Sequence, residues 1–183
     1  LRPLETSDVS YVVDTVKILA NELKVPLLAF AGAPFTVASY LIEGRPSKTY
    51  QNTKYMMHAD TQLWNDVMER LVQHSVEFIS AQLSAGAEAF QVFDSWAGVL
   101  SEELYREFCM PYLNRIAQEV NSVPNIVFAK GAHFAMEDLM SSSYNAVGLD
   151  WTMDPKFIRA INPSKVLQGN LDPTLLYASD DVV

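Results

Sequence analysis

Two rhythms alternate along the chain. Short runs are apolar at nearly every position, and between them apolar residues return every three or four positions. The short runs are Pro26–Phe30, Glu88–Phe93, Asn125–Ala129, Ala146–Leu149 and Lys165–Gln168. Each is bounded by turn-forming or charged residues and reads as a buried β-strand. The helical rhythm begins near Ser7, where Val9, Val12, Val13, Val16, Leu19, Ala20 and Leu23 share one face. Thr6 or Ser7 can cap it, and Asp8 suits the first turn. A longer helix is expected from Asp60 to Ser84, with Trp64, Met68, Leu71, Val72 and Ile79 in its stripe and Gly86 as its stop. Ser101 followed by Glu102 and Glu103 opens another, and a further helix is expected over 135–142. Asp154-Pro155 and Asp172-Pro173 repeat one start signal, because Asp caps and Pro fits the first helical position. From Ala31 to about Gln51 the chain is rich in Gly, Pro, Ser and Thr, and a long loop is expected there.

Strands that are apolar on both faces and separated by helices indicate parallel βαβ units. Five such units in 183 residues take about 37 residues each, a normal length for the repeat. A closed eight-stranded (β/α)8 TIM barrel needs about 250 residues. The chain is therefore expected to form a partial barrel of about five βα units. An open doubly wound sheet is the alternative, but no Gly-x-Gly-x-x-Gly follows a strand, so nothing indicates a dinucleotide site.

Composition narrows the function classes. Hydrophobic residues make up 49% and charged residues 19%, an ordinary globular balance. Asp and Glu number 22 against 13 Lys and Arg, a net charge of −9. Non-specific nucleic-acid binding and anionic membrane surfaces both call for clustered cations and are disfavoured. An anionic ligand would need local cations; Arg45, Lys48 and Lys130 are the candidates, with a solvated loop as the plain reading of the first two. The one cysteine, Cys109, excludes an internal disulfide, and no Cys/His cluster suggests zinc. A reducing, cytoplasmic setting is expected. Residues 25–42 carry Pro26, Gly32 and Pro34 and do not read as a membrane span; residues 1–10 do not read as a signal peptide. Both ends of the chain read as truncations.

In parallel α/β folds the working residues sit at the carboxyl ends of the strands. The five tails here are distinctive. They are Ala31–Thr36 with Ser39-Tyr40, then Asp94–Gly98, Lys130–Phe134, Asp150–Thr152 and Gly169–Pro173. Polar and aromatic side chains thus gather where a barrel has its mouth. Capping and packing are the alternative roles for each residue taken singly.

The stretch Ala29-Phe30-Ala31-Gly32-Ala33-Pro34-Phe35-Thr36, followed by Tyr40 and Glu43-Gly44, resembles a signature of the uroporphyrinogen decarboxylase family. That signature reads Gly-Phe-x-Gly-x-Pro-aromatic-Thr, then Tyr, then Glu-Gly. Ala29 replaces its first glycine. Residues 91–98, 128–134, 147–152 and 167–177 resemble the family in the same order. The resemblance implies a (β/α)8 barrel of which residues 1–183 are the central part. It implies decarboxylation of the four acetate side chains of uroporphyrinogen to give coproporphyrinogen, without metal or organic cofactor, by a cytoplasmic homodimer.

Two site residues carry over. Tyr40 matches the tyrosine that contacts substrate and the catalytic carboxylate, and Ser95 matches a small hydroxyl position that binds a substrate side chain. The family's Arg-x-x-x-Arg segment, catalytic aspartate and late histidine have no match within residues 1–183. Asp94, Asp150 and His133 do not fit their spacing, and His133 is expected to be structural. Cobamide-dependent methyltransferases of the same superfamily are the nearest rival, but they need a His-x-Cys pair and a further Cys, and Cys109 stands alone. An inactive barrel fragment is the remaining alternative.

Overall fold

A computed structural model describes residues 1–45 and 47–182, the Thr6 side chain excepted. Five parallel strands stand side by side in chain order: β1 (Leu28–Gly32), β2 (Ala89–Asp94), β3 (Asn125–Ala129), β4 (Ala146–Gly148) and β5 (Val166–Gln168). The helices are α1 (Ser10–Glu22), α2 (Pro34–Glu43), α3 (Gln51–Ala59), α4 (Thr61–Ser84), α5 (Glu102–Phe108), α6 (Met110–Glu119), α7 (Met136–Met140) and α8 (Pro155–Ile161). Short 3-10 turns cover Thr6–Val9, Ala97–Val99, His133–Ala135 and Pro173–Tyr177. Sequential order with every pair parallel is the arrangement of a barrel wall, not of a doubly wound sheet, where the order reverses.

Strand alternation sorts the side chains into two layers. Ala29, Ala31, Phe90, Val92, Val127, Ala129 and Val147 face outward and are buried under the helices. There they meet Trp64, Met68, Leu71, Val72 and Ile79 of α4 and Leu113 and Ile116 of α6. Phe30, Phe93 and Phe128 face inward, and their rings meet edge to face in a row across β1, β2 and β3. The Gln91 amide donates to Gln168 Oε1 at 3.2 Å, joining β2 to β5 across the inner face. Flat strands three spacings apart lie about 14 Å from each other, so the contact marks a sheet that curls toward closure. Gly148 lies between them with no side chain in the way.

The inner face is open. Phe30 is 60% exposed and Val166 59%, although both sit at positions that face other strands in a closed barrel.

The long loop expected from Ala31 to Gln51 is not there. Residues 34–43 form α2 and residues 51–59 form α3. Pro34 occupies the start of α2, where its missing N–H costs nothing, so it opens the helix instead of breaking it. The hydroxyls that argued for a loop are satisfied: Ser39 donates to the Phe35 carbonyl at 2.8 Å, and Thr36 bonds outside the helix. Gly44 ends α2 at φ +62°, a left-handed turn that suits glycine. The helix capped by Ser101 stops at Phe108, and α6 begins at Met110 with Pro111 in its first turn.

Candidate active site at the carboxyl rim

The signature stretch folds as strand, turn and helix. β1 ends at Gly32, Ala33 turns, and α2 starts at Pro34. Thr36 and Tyr40 lie one helical turn apart and so share a face of α2. That face meets the tail of β2. Thr36 Oγ1 donates to Asp94 Oδ1 at 2.7 Å and accepts from the Trp96 backbone N–H at 3.3 Å. Ser95 is held between these two anchored residues. One turn on, the Tyr40 ring meets Trp96 edge to face, with centroids 6.1 Å apart. The structure therefore brings Tyr40 and the Ser95 turn to one end of the sheet and against one indole.

Tyr40 is 56% exposed and, among the described residues, its hydroxyl has no hydrogen-bond partner. It lines a cavity of about 490 Å³ with Ser39, Gly44, Arg45, Ser47, Tyr50 and Trp96. Ser95 is half-buried beside this wall and is not among its lining residues. A second cavity of about 450 Å³ shares Arg45 and Ser47 and adds Glu43, Lys48, Thr49, Gln51 and Asn52. Arg45 thus stands, exposed, between an aromatic compartment and a polar one.

Tyr50 is the residue that sequence reasoning missed. It is buried, takes the left-handed backbone conformation (φ 51°, ψ 44°), and packs its ring 5.5 Å from Trp96. A non-glycine residue in that conformation is uncommon, and nothing in the sequence marks it. Burial pushes its hydroxyl above the ordinary tyrosine value, helped by nearby Tyr40 and Glu43. The signature's glutamate has a structural task. Glu43 Oε1 accepts from the Thr53 N–H and hydroxyl, both at 2.9 Å, and Oε2 from Asn52 at 3.1 Å. Slight burial pushes its carboxyl up, but these donors outweigh it and hold it below the usual glutamate value. Glu43 thereby clamps α3 to the end of α2. Lys54 adds a tie, donating to the Val99 carbonyl at 2.6 Å.

Asp94 points outward, away from the mouth. It is fully buried and accepts from Thr36 and from Tyr105 Oη at 3.0 Å. Burial pushes its carboxyl up to about 6, with the two hydrogen bonds opposing.

A second network lies beyond β3 and β4. Asp150 Oδ2 accepts from the Gly131 N–H at 2.7 Å, and Oδ1 from the Thr152 N–H at 2.9 Å and hydroxyl. Partial burial pushes Asp150 up, yet these donors outweigh it and leave its carboxyl below the ordinary value. His133 Nε2 lies 2.7 Å from Thr152 Oγ1, so His133 joins this network. Lys130 Nζ sits 5.4 Å from the centre of the Trp151 ring. His74 packs against the Arg2 carbonyl and His58 against Phe108, both away from the rim. Cys109 is buried in the core, and burial raises its thiol well above the ordinary value. Among the described residues, no group of three or more His, Cys, Asp or Glu side chains is placed to hold a metal ion.

A curled sheet of five parallel strands in chain order, with helices on its outer face, is the wall of a partial (β/α)8 barrel, a fold class whose working residues sit at the carboxyl ends of the strands. The model of the uroporphyrinogen decarboxylase (URO-D) family matches residues 1–183. The chain is 44% identical over 178 residues to a uroporphyrinogen decarboxylase of Halalkalibacterium halodurans, 96% of this chain and 52% of that protein. It is 46% identical over 180 residues to that of Staphylococcus saprophyticus (96% and 52%) and 45% identical over 185 residues to that of Corynebacterium diphtheriae (99% and 54%). This chain belongs to the uroporphyrinogen decarboxylase family. It spans about half the length of the curated relatives it matches. A solved methyltransferase from Methanosarcina mazei shares the fold with a TM-score of 0.80 at 19% identity, over 89% of this chain and 48% of that one.

Proposed function

We propose that residues 1–183 are the central part of a single (β/α)8 barrel domain that decarboxylates the four acetate side chains of uroporphyrinogen, giving coproporphyrinogen in porphyrin and haem biosynthesis. Family membership across the whole chain supports this reading. The observation that carries it is the delivery of Tyr40, its hydroxyl without a partner among the described residues, to an aromatic cavity beside the Ser95 turn.

The chemistry suits such a site. Protonation makes the pyrrole ring a cation, and loss of carbon dioxide from the adjacent acetate neutralises it. The substrate is its own electron sink, so the protein's tasks are to position the ring and to balance charge. In this reading Tyr40 hydrogen-bonds substrate and the catalytic carboxylate, and Ser95 binds a substrate side chain. Arg45, Lys48 and Lys130 are the cations offered to the substrate's carboxylates. The catalytic aspartate, the arginine pair and the late histidine belong to sequence outside residues 1–183. The full protein acts as a cytoplasmic homodimer on a free small molecule. No helix among the described residues is long and apolar enough to cross a membrane.

The test is Tyr40→Phe in the full-length protein. A hydrogen bond to a charged group contributes about 1.5–3 kcal/mol, so turnover of uroporphyrinogen should fall about 10- to 150-fold with the fold intact. Unchanged turnover would remove Tyr40 from the site.

A further inference from the structure

The geometry points to Thr36 and Asp94 as a positioning pair that sets the rim for substrate. It rests on the functional reading above. The pair lines neither of the two rim cavities, yet it bonds to both elements that make the site. Thr36 lies on the helix that carries Tyr40. It accepts the backbone N–H of Trp96, the residue after Ser95, at 3.3 Å. It donates to Asp94, the residue before Ser95, at 2.7 Å. One hydroxyl therefore grips the two sides of the Ser95 turn and fixes that turn's distance from α2. Asp94 gives the hydroxyl its direction. While the carboxylate takes the Thr36 proton, a Thr36 lone pair stays aimed at the Trp96 N–H.

The cost of this arrangement argues that it serves something beyond packing. Asp94 is wholly buried, and no Lys, Arg or His pairs with it among the described residues. The titratable groups facing it are Tyr105, Cys109 and Tyr144, all buried and all pushed up toward their neutral forms. A buried carboxyl without a cation is destabilising relative to an apolar side chain. The rest of the β2 tail is fixed without it: the Asp94 carbonyl accepts from Lys130, and Gly98 N–H bonds the Lys130 carbonyl. What the side chains of Thr36 and Asp94 add is the relation between α2 and the Ser95–Trp96 turn.

The two donors to Asp94 allow a clean experiment. Thr36 bonds the Ser95–Trp96 turn, whereas the Tyr105 hydroxyl on α5 bonds the carboxylate alone among the described residues, and Tyr105→Phe keeps the ring contact with Phe134. Three variants of the full-length protein are compared with wild type: Thr36→Val, Thr36→Ser and Tyr105→Phe. Uroporphyrinogen turnover and exchange of the Trp96 amide proton are both measured. The proposal expects Thr36→Val to lose at least 10-fold in kcat and to speed Trp96 amide exchange at least 10-fold. It expects Thr36→Ser to restore both to within about threefold. Tyr105→Phe, which removes a buried hydrogen bond from the same carboxylate, should stay within about threefold on both. Equal losses from Thr36→Val and Tyr105→Phe would reduce the pair to ordinary core structure and overturn the proposal, as would full turnover by Thr36→Val. If wild type itself fails to decarboxylate uroporphyrinogen, the functional reading falls, and the exchange data alone decide: an unchanged Trp96 amide in Thr36→Val overturns the pairing too.

Discussion

Replacing Asp94 by Asn should change how stability depends on pH. The Asp94 carboxyl is buried with two hydroxyl donors and, among the described residues, no cation, and burial pushes it up to about 6 against an ordinary 3.8. Between pH 4 and 6 the unfolded chain gives up this proton while the folded protein keeps it. Folded stability therefore falls as pH rises through that window and levels off above it. About two pH units at 1.36 kcal/mol each amount to roughly 3 kcal/mol. Asn binds no proton there, so its variant lacks this slope. It carries its own roughly constant cost of about 1–3 kcal/mol, because an NH2 group replaces one acceptor oxygen and Thr36 and Tyr105 can no longer both donate to the side chain. Urea unfolding at pH 4 to 7.5, followed by tryptophan fluorescence, gives both stabilities. The advantage of wild type over Asp94→Asn should shrink by roughly 3 kcal/mol from pH 4 to pH 7. Other titrating groups cancel in that difference. An advantage that stays constant, or grows with pH, would show that burial does not dominate at Asp94.

Two further outcomes follow from the packing. A Cβ at Gly98 would lie 2.9 Å from the Lys130 carbonyl oxygen and 3.1 Å from the Gly131 backbone; Gly98→Ala should cost about 1–3 kcal/mol, as overpacking does, read as a lower urea midpoint, and an unchanged midpoint would mean the β2 and β3 tails are not in contact. The 183-residue chain alone, with Phe30 and Val166 exposed on the inner face and edge strands β1 and β5 unpaired on one side, should self-associate and show no turnover; a monodisperse, active chain would contradict the roles given to residues outside it.

Much of this was legible in the sequence, for physical reasons. Strands buried on both sides leave continuous apolar runs, and all five lie within about two residues of where those runs put them. Caps are local chemistry, so Ser101, Asp154 and Asp172 each accept the expected backbone N–H. The loop expected over 31–51 failed because Pro34, Thr36 and Ser39 read as breakers, while each has a helical position or a partner that satisfies it. Tyr40 could be picked out by the signature around it. Tyr50 could not, since its place in the cavity depends on a left-handed turn and on Trp96, 46 positions away. Asp94 was visible as a strand-end carboxylate, but only its outward direction shows that it braces the rim instead of lining it.

The central claim is the activity of the whole protein. The full-length protein, purified and incubated with uroporphyrinogen without oxygen, should convert it to coproporphyrinogen as the end product, through species that have lost one, two and three carboxyl groups. Recovery of uroporphyrinogen unchanged, from protein shown to be folded, would contradict the account.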